Sequence, residues 1–113
     1  MKNFPQQFQE LTTWMDKVGA AIPDTMGGFA SMHEGTIKAG ALDSKTKELI
    51  ALGIAITVRC DGCIAFHVHD ALKAGSSHDE IVDAIGVAIL MGGGPSVVYG
   101  SQALEALEQF ENQ

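Results

Sequence analysis

Apolar positions along this chain recur at helical spacing, and start and stop signals divide them into about six helices with short connections. No strand-like alternation of useful length interrupts them. Pro5 suits a first turn, and Phe8, Leu11, Met15 and Val18 follow near the i, i+3, i+7 spacing of an apolar stripe that fades at Gly19. Asp24 is placed to cap a second helix running toward Ala39 and stopping at Gly40. Asp43 or Ser44 opens a third, charged in its first turn and apolar nearly all round from Leu49 to Val58, which marks a central helix. A fourth begins close to Cys60, shows Ile64, Val68, Ala71 and Leu72 on one face, and ends with Gly75 at C′. Ser77 and Glu80 have the S-x-x-E spacing of a capping box and start a fifth helix that runs through about Met91. Gly92, Gly93 and Gly94 break it, and Pro95 launches a sixth with Val98, Ala103, Leu104, Leu107 and Phe110 as candidate packing residues. The last three residues are expected to fray. The pattern predicts an all-α bundle forming one domain over residues 1–113.

Composition narrows the partners. A chain of 113 residues that is 46% hydrophobic can bury a core of its own. Seven Lys and Arg against fourteen Asp and Glu leave a formal charge of −7, the wrong sign for neutralising phosphates or an anionic bilayer, so neither nucleic acid nor membrane is an expected partner. The apolar run from Leu49 to Val58 is far shorter than the roughly 20 residues needed to span hydrocarbon. The N-terminus lacks the apolar stretch of a secretory signal, and a cytoplasmic location is the expectation. Among thirteen glycines, Gly53 and Gly86 fall inside predicted helices, each costing roughly 1 kcal/mol relative to alanine, a cost that close helix packing would offset. The third and fifth helices carry apolar residues on more than one side, which predicts self-association.

The chemistry concentrates in the fourth helix. In a reducing compartment a close pair such as Cys60 and Cys63 is more often catalytic, redox-sensing or metal-binding than a structural staple, and a bridge across two residues closes too small a loop to stabilise much. At about 100° per residue, Cys63 and His67 stack on one helix face, with Cys60 one turn earlier on the same side. A thiolate can attack, a second thiol can resolve the product as a disulfide, and an imidazole can move the proton. The positive end of the helix dipole favours thiolate there. Zinc is the competing reading, since Cys60, Cys63, His67 and His69 are all eligible ligands. On a continuous helix, however, His69 projects about 180° from Cys60, and closing the site would require His33, His78 or a second subunit. By position alone Glu48 reads as a solvated first-turn glutamate. His33 and His78 read as surface or cap-adjacent residues, and Met15, Met26, Met32 and Met91 as gap-filling core.

Taken together, Glu48, the C-x-x-C-x-x-x-H run of Cys60, Cys63 and His67, then Ala71, Gly75, Ser77, Glu80 and Ile81 at their spacings resemble the carboxymuconolactone decarboxylase family. More narrowly they resemble its alkyl hydroperoxidase D-like branch, over roughly residues 30 to 105. The resemblance implies an all-α fold, assembly into homotrimers or homohexamers, and peroxide reduction through a reversible disulfide. It implies no bound cofactor or metal, only a small-molecule substrate and an external dithiol reductant. Residue by residue, it makes Cys60 and Cys63 the redox pair, His67 the relay histidine and Glu48 its proton-relay partner, reversing the solvated reading of Glu48. Cys63 is the expected attacking thiolate and Cys60 the resolver, with the exchanged roles open because Cys60 is nearer the helix terminus. One departure stands out: the best-known members carry a second histidine between the cysteines, where this chain has Gly62. Two alternatives remain beside the peroxidase: a lactone decarboxylase using His67 and Glu48 for proton transfer, and a non-enzymatic redox-sensing oligomer.

Overall fold

A computed structural model describes residues 2–113. Six helices follow one another: α1 (Phe4–Ala21), α2 (Pro23–Ile37), α3 (Ser44–Thr57), α4 (Asp61–Lys73), α5 (His78–Gly92) and α6 (Gly94–Glu111), with no strand among the described residues. The core lies where α3 to α6 converge. Leu52 and Ile56 of α3 meet Ile64 and Val68 of α4, Ile81 and Ile85 of α5, and Ala103 and Leu107 of α6, all buried. Phe4, also fully buried, draws α1 across α4 and α6. Its backbone N–H donates to Gln109 Oε1 at 2.7 Å, while Lys2 pairs with Asp61 at the start of α4.

The caps explain where the helices begin. Asp43 is the N-cap of α3 and accepts from Thr46 N–H at 2.8 Å, and Ser77 with Glu80 forms the reciprocal capping box of α5. Lys45 reaches Glu80 at 2.9 Å and ties these two helix starts together. Hydrogen bonding to Thr46 holds the Asp43 carboxyl below its ordinary value, and the Ser77 backbone and Lys45 do the same for Glu80. A carboxylate with a lowered folded-state value contributes stability that is present above its unfolded value and lost as pH falls through the folded one. Thermal stability should therefore fall on acidification below about pH 4. The Asp43→Asn variant, which keeps an acceptor at the cap but cannot titrate, should flatten part of that acid slope; an unchanged slope counts against the cap.

Several local expectations are corrected. Asp24 sits inside the first turn of α2 behind Pro23, and Ile22 occupies the cap without a side-chain bond. The second helix ends at Ile37, short of Ala39. In the sixth, Ala103 and Leu107 are buried, whereas Val98 and Leu104 face outward because that stripe is narrower than the apolar sequence. A methyl group added at Gly53 or Gly86 would meet nothing within 4 Å, so close packing within one chain does not account for them. Between α5 and α6 a close approach occurs at Gly100, where an added Cβ would lie 3.0 Å from Ile85. α2 contains no buried residue, and its apolar side chains, with those of α1, line the cleft described next.

Candidate active site

The turn between α3 and α4 sets the site. Val58 ends α3, Arg59 N–H donates to Ile56 O, and Cys60 N–H donates to Ala55 O, the paired bonds of a Schellman motif. Such a motif needs a left-handed residue at C′. At the end of α4 that residue is Gly75, φ 96°, but here it is Arg59, φ 61°. A side chain in this conformation costs about 1–2 kcal/mol, so the chain holds strain immediately before its first cysteine. Cys60 follows as the N-cap of α4, its Sγ accepting from Cys63 N–H at 3.3 Å. A three-residue connection, Val58 to Cys60, folds α4 back along α3. Glu48, near the start of α3, is thereby brought beside His67, two turns into α4.

Cys60 and Cys63 are joined as a disulfide, their Cα atoms 5.2 Å apart, so the structure represents the oxidised state. Glu48 is only 3% exposed, and its Oε1 lies 2.8 Å from His67 Nδ1. An ionised carboxylate only accepts, so Nδ1 carries the proton and Nε2 is left as the basic nitrogen available to the cleft. Glu48 is thus buried against His67, and His67 lines one cleft together with Cys60 and Cys63.

That group opens into a cleft of about 700 Å³. Leu11 and Met15 of α1, Met26 and Phe29 of α2, and Phe66 of α4 wall it with hydrocarbon, thioether and aromatic surface. Leu11 also answers the departure at Gly62: a Cβ there would lie 2.8 Å from Leu11 Cδ1, so a leucine from α1 roofs the position between the cysteines. The methionine expectation is corrected. Met15 and Met26 line the cleft, while Met32 and Met91 are exposed.

His33 and Asp70 are the additions that sequence reasoning missed. One ligating atom from each of His33, Glu48 and Asp70 lies within 4.8 Å of the others, and this trio is the cluster among the described residues able to hold a metal ion. His33 is a surface residue as expected, yet it also lines the cleft. No periodicity signals this, because the meeting is made by α2, α3 and α4 together. His69 turns away from the cysteines, stacking on Phe8 with ring centroids 4.0 Å apart, so it is no ligand to the same site. His78 stands at the start of α5 against Glu111 at 2.9 Å, remote from the cleft.

Comparison with known proteins agrees with this architecture. The model of the carboxymuconolactone decarboxylase family matches residues 23–106. A family member from Legionella pneumophila superposes with a TM-score of 0.91 at 42% identity, covering 95% of this chain and 96% of that one. Another from Thermotoga maritima, for which a part in the antioxidative response has been suggested, superposes with a TM-score of 0.79 at 30% identity over 98% and 92% of the two chains. A protein of Cupriavidus necator is 33% identical over 95 residues, 84% of each chain.

Proposed function

This chain belongs to the carboxymuconolactone decarboxylase family, and within it we propose a thiol-dependent peroxidase of the alkyl hydroperoxidase D-like type, acting on organic hydroperoxides and recycled by an external dithiol. The observation that carries the reading is the bonded Cys60–Cys63 pair beside a histidine whose other ring nitrogen is held by a buried glutamate. The suggested antioxidative part of the Thermotoga relative supports the same direction.

In the reduced protein the Cys63 thiolate attacks one peroxide oxygen. An S–O bond forms, the O–O bond breaks, and the alkoxide leaves with the electron pair and takes a proton from His67. The Cys63 sulfur, now a sulfenic acid, has been oxidised by two electrons. Cys60, placed at the helix N-terminus where thiolate is favoured, attacks that sulfur; the disulfide forms, and hydroxide leaves as water once protonated. An external dithiol then returns two electrons and two protons and becomes a disulfide itself. Glu48 fixes the His67 ring and stabilises its protonated form. No metal or bound cofactor enters this scheme.

The apolar cleft favours a hydroperoxide with a hydrocarbon body. With dithiothreitol as donor, purified protein should consume cumene hydroperoxide with a higher kcat/KM than hydrogen peroxide, because burying apolar surface contributes roughly 25 cal/mol per Å². Equal or reversed preference would remove the cleft from the substrate argument.

The working unit in this proposal is a homotrimer or homohexamer. Ile50 and Ile54 of α3, Val58 at its C-cap, and Val87 and Met91 of α5 line a second, largely apolar groove of about 620 Å³, and most of these side chains are half exposed or more. A second copy of the chain is the occupant that would bury this groove and bring a neighbour against Gly53. Sedimentation equilibrium should give three or six chains, and Ile54→Glu should lower that number; a monomeric wild type overturns the assembly.

A further inference from the structure

The cleft that holds the cysteines has hydrocarbon walls, and its fixed charges are of one sign. Leu11, Met15, Met26, Phe29 and Phe66 supply the apolar surface, while Glu34 of α2 and Asp70 of α4 add carboxylates to the lining. Glu48 lies close by, one polar atom each of Glu48, Asp70 and His33 being within 4.8 Å of the other two. No lysine or arginine is among the residues that line the cleft, and Arg59, which precedes Cys60 in sequence, is outside that lining. Lys2 is held by Asp61, Lys45 by Glu80, and Lys47 by the carbonyls of Thr36 and Lys38. His33 and His67 are the lining groups able to carry a positive charge, and even with both counted as cations three carboxylates outnumber them. Glu34 is exposed and belongs to no ion pair among the described residues.

We propose that this cleft selects its substrate by charge: it takes uncharged hydroperoxides with a hydrocarbon body, and Glu34 and Asp70 turn away those that carry a carboxylate, such as the hydroperoxide of a free fatty acid. The inference rests on the peroxidase reading for the reacting group and on the lining of the cleft for the selection. A carboxylate that enters gives up hydration among apolar side chains and meets no lysine or arginine to replace what it loses. It also comes against groups of its own sign, and the low local dielectric of an apolar cleft strengthens that repulsion. An uncharged molecule of the same shape gains the apolar contact and suffers neither cost. The formal charge of −7 on the whole chain opposes an approaching anion too, but salt screens that effect over about 8–10 Å, whereas Glu34 and Asp70 act where the substrate must sit. Glu34 is the place at which the selection can be altered. It stands on a helix with no buried residue, and it is not a member of the cluster around Glu48.

Para-carboxycumene hydroperoxide and the corresponding carboxamide are nearly equal in size and differ in charge, so the ratio of their kcat/KM values reads the selection. With the full chain, dithiothreitol as donor, and EDTA present so that no metal ion lends the cleft a positive charge, wild type should prefer the carboxamide by on the order of tenfold or more. Glu34→Gln should reduce that preference severalfold, and Glu34→Lys should bring it to parity or reverse it. Cumene hydroperoxide, which carries no charge, should be consumed by all three proteins at rates within about threefold of one another, and unchanged circular dichroism separates charge from misfolding. A second measurement needs no turnover. The alcohol of each compound, with hydroxyl in place of hydroperoxide, should protect the reduced thiols from iodoacetamide by occupying the cleft, the carboxamide at a concentration on the order of tenfold lower than the carboxylate. Equal kcat/KM values or equal protection for the charged and uncharged compounds overturns the inference, as does a Glu34→Lys variant that keeps the wild-type preference. If no hydroperoxide is consumed while protection differs as stated, the peroxidase reading falls and the selection by charge stands without it.

Discussion

Cys63→Ser should reduce dithiol-dependent consumption of cumene hydroperoxide by on the order of a thousandfold or more, to the rate of the uncatalysed mixture. The size follows from the chemistry that remains. A serine hydroxyl is un-ionised near neutral pH and is a far weaker nucleophile than a thiolate, and His67 lies where it can move a proton without supplying the reacting atom. Cys60→Ser should behave differently. It leaves the attacking sulfur in place, so with no dithiol added the reduced variant should consume one equivalent of peroxide in a burst that stops at the sulfenic acid, which a mass increase of one oxygen on Cys63 would report. If the two variants exchange these behaviours, Cys60 is the attacking residue, in keeping with its place at the N-cap of α4 and the 3.3 Å approach of Cys63 N–H to its sulfur. If neither variant loses activity, the peroxidase proposal falls, and with it the use of the disulfide.

Glu48→Gln should lower kcat by about a hundredfold or more while leaving the disulfide able to form. The substitution preserves volume at a site that is 3% exposed, so it tests charge and proton placement rather than packing. A glutamine facing His67 Nδ1 can offer its NH₂ as readily as its carbonyl. In that orientation the proton moves to Nε2, and the cleft loses its base. Even in the favourable orientation the protonated ring is no longer stabilised by a negative charge 2.8 Å away. The pH profile of kcat should change with its size, which a purely structural role would not produce. Activity within threefold of wild type would place Glu48 outside proton transfer. His67→Gln supplies the matching variant, and because the two residues act through one hydrogen bond their effects should fall well short of additive.

Much of this site is local, and local features were legible. The spacing of Cys60, Cys63 and His67 places them on one side of a helix whatever surrounds it, because helical geometry repeats every 3.6 residues. The capping box at Ser77 and Glu80, the Asp43 cap and the Gly75 terminus depend on atoms a few residues apart and are found as expected. Glu48 was different. Its position in α3 gave no sign of burial, and only the resemblance of the wider pattern pointed to it. Its role depends on the turn at Arg59, where a non-glycine residue adopts a left-handed conformation that composition does not announce.

The sequence alone determined six helices, an acidic chain ill suited to phosphate backbones, and a cysteine pair with a histidine on its face, since each is a matter of period, charge or short-range capping. Tertiary structure decided the rest. It buried Glu48 against His67, set Leu11 over Gly62, turned Met15 and Met26 from core candidates into walls of the cleft, and brought His33 to the Glu48–Asp70 pair. The physical reason is common to all four: each contact joins different helices, and which faces meet is set by inter-helix turns and crossing geometry, quantities that a hydrophobic period within one helix does not encode.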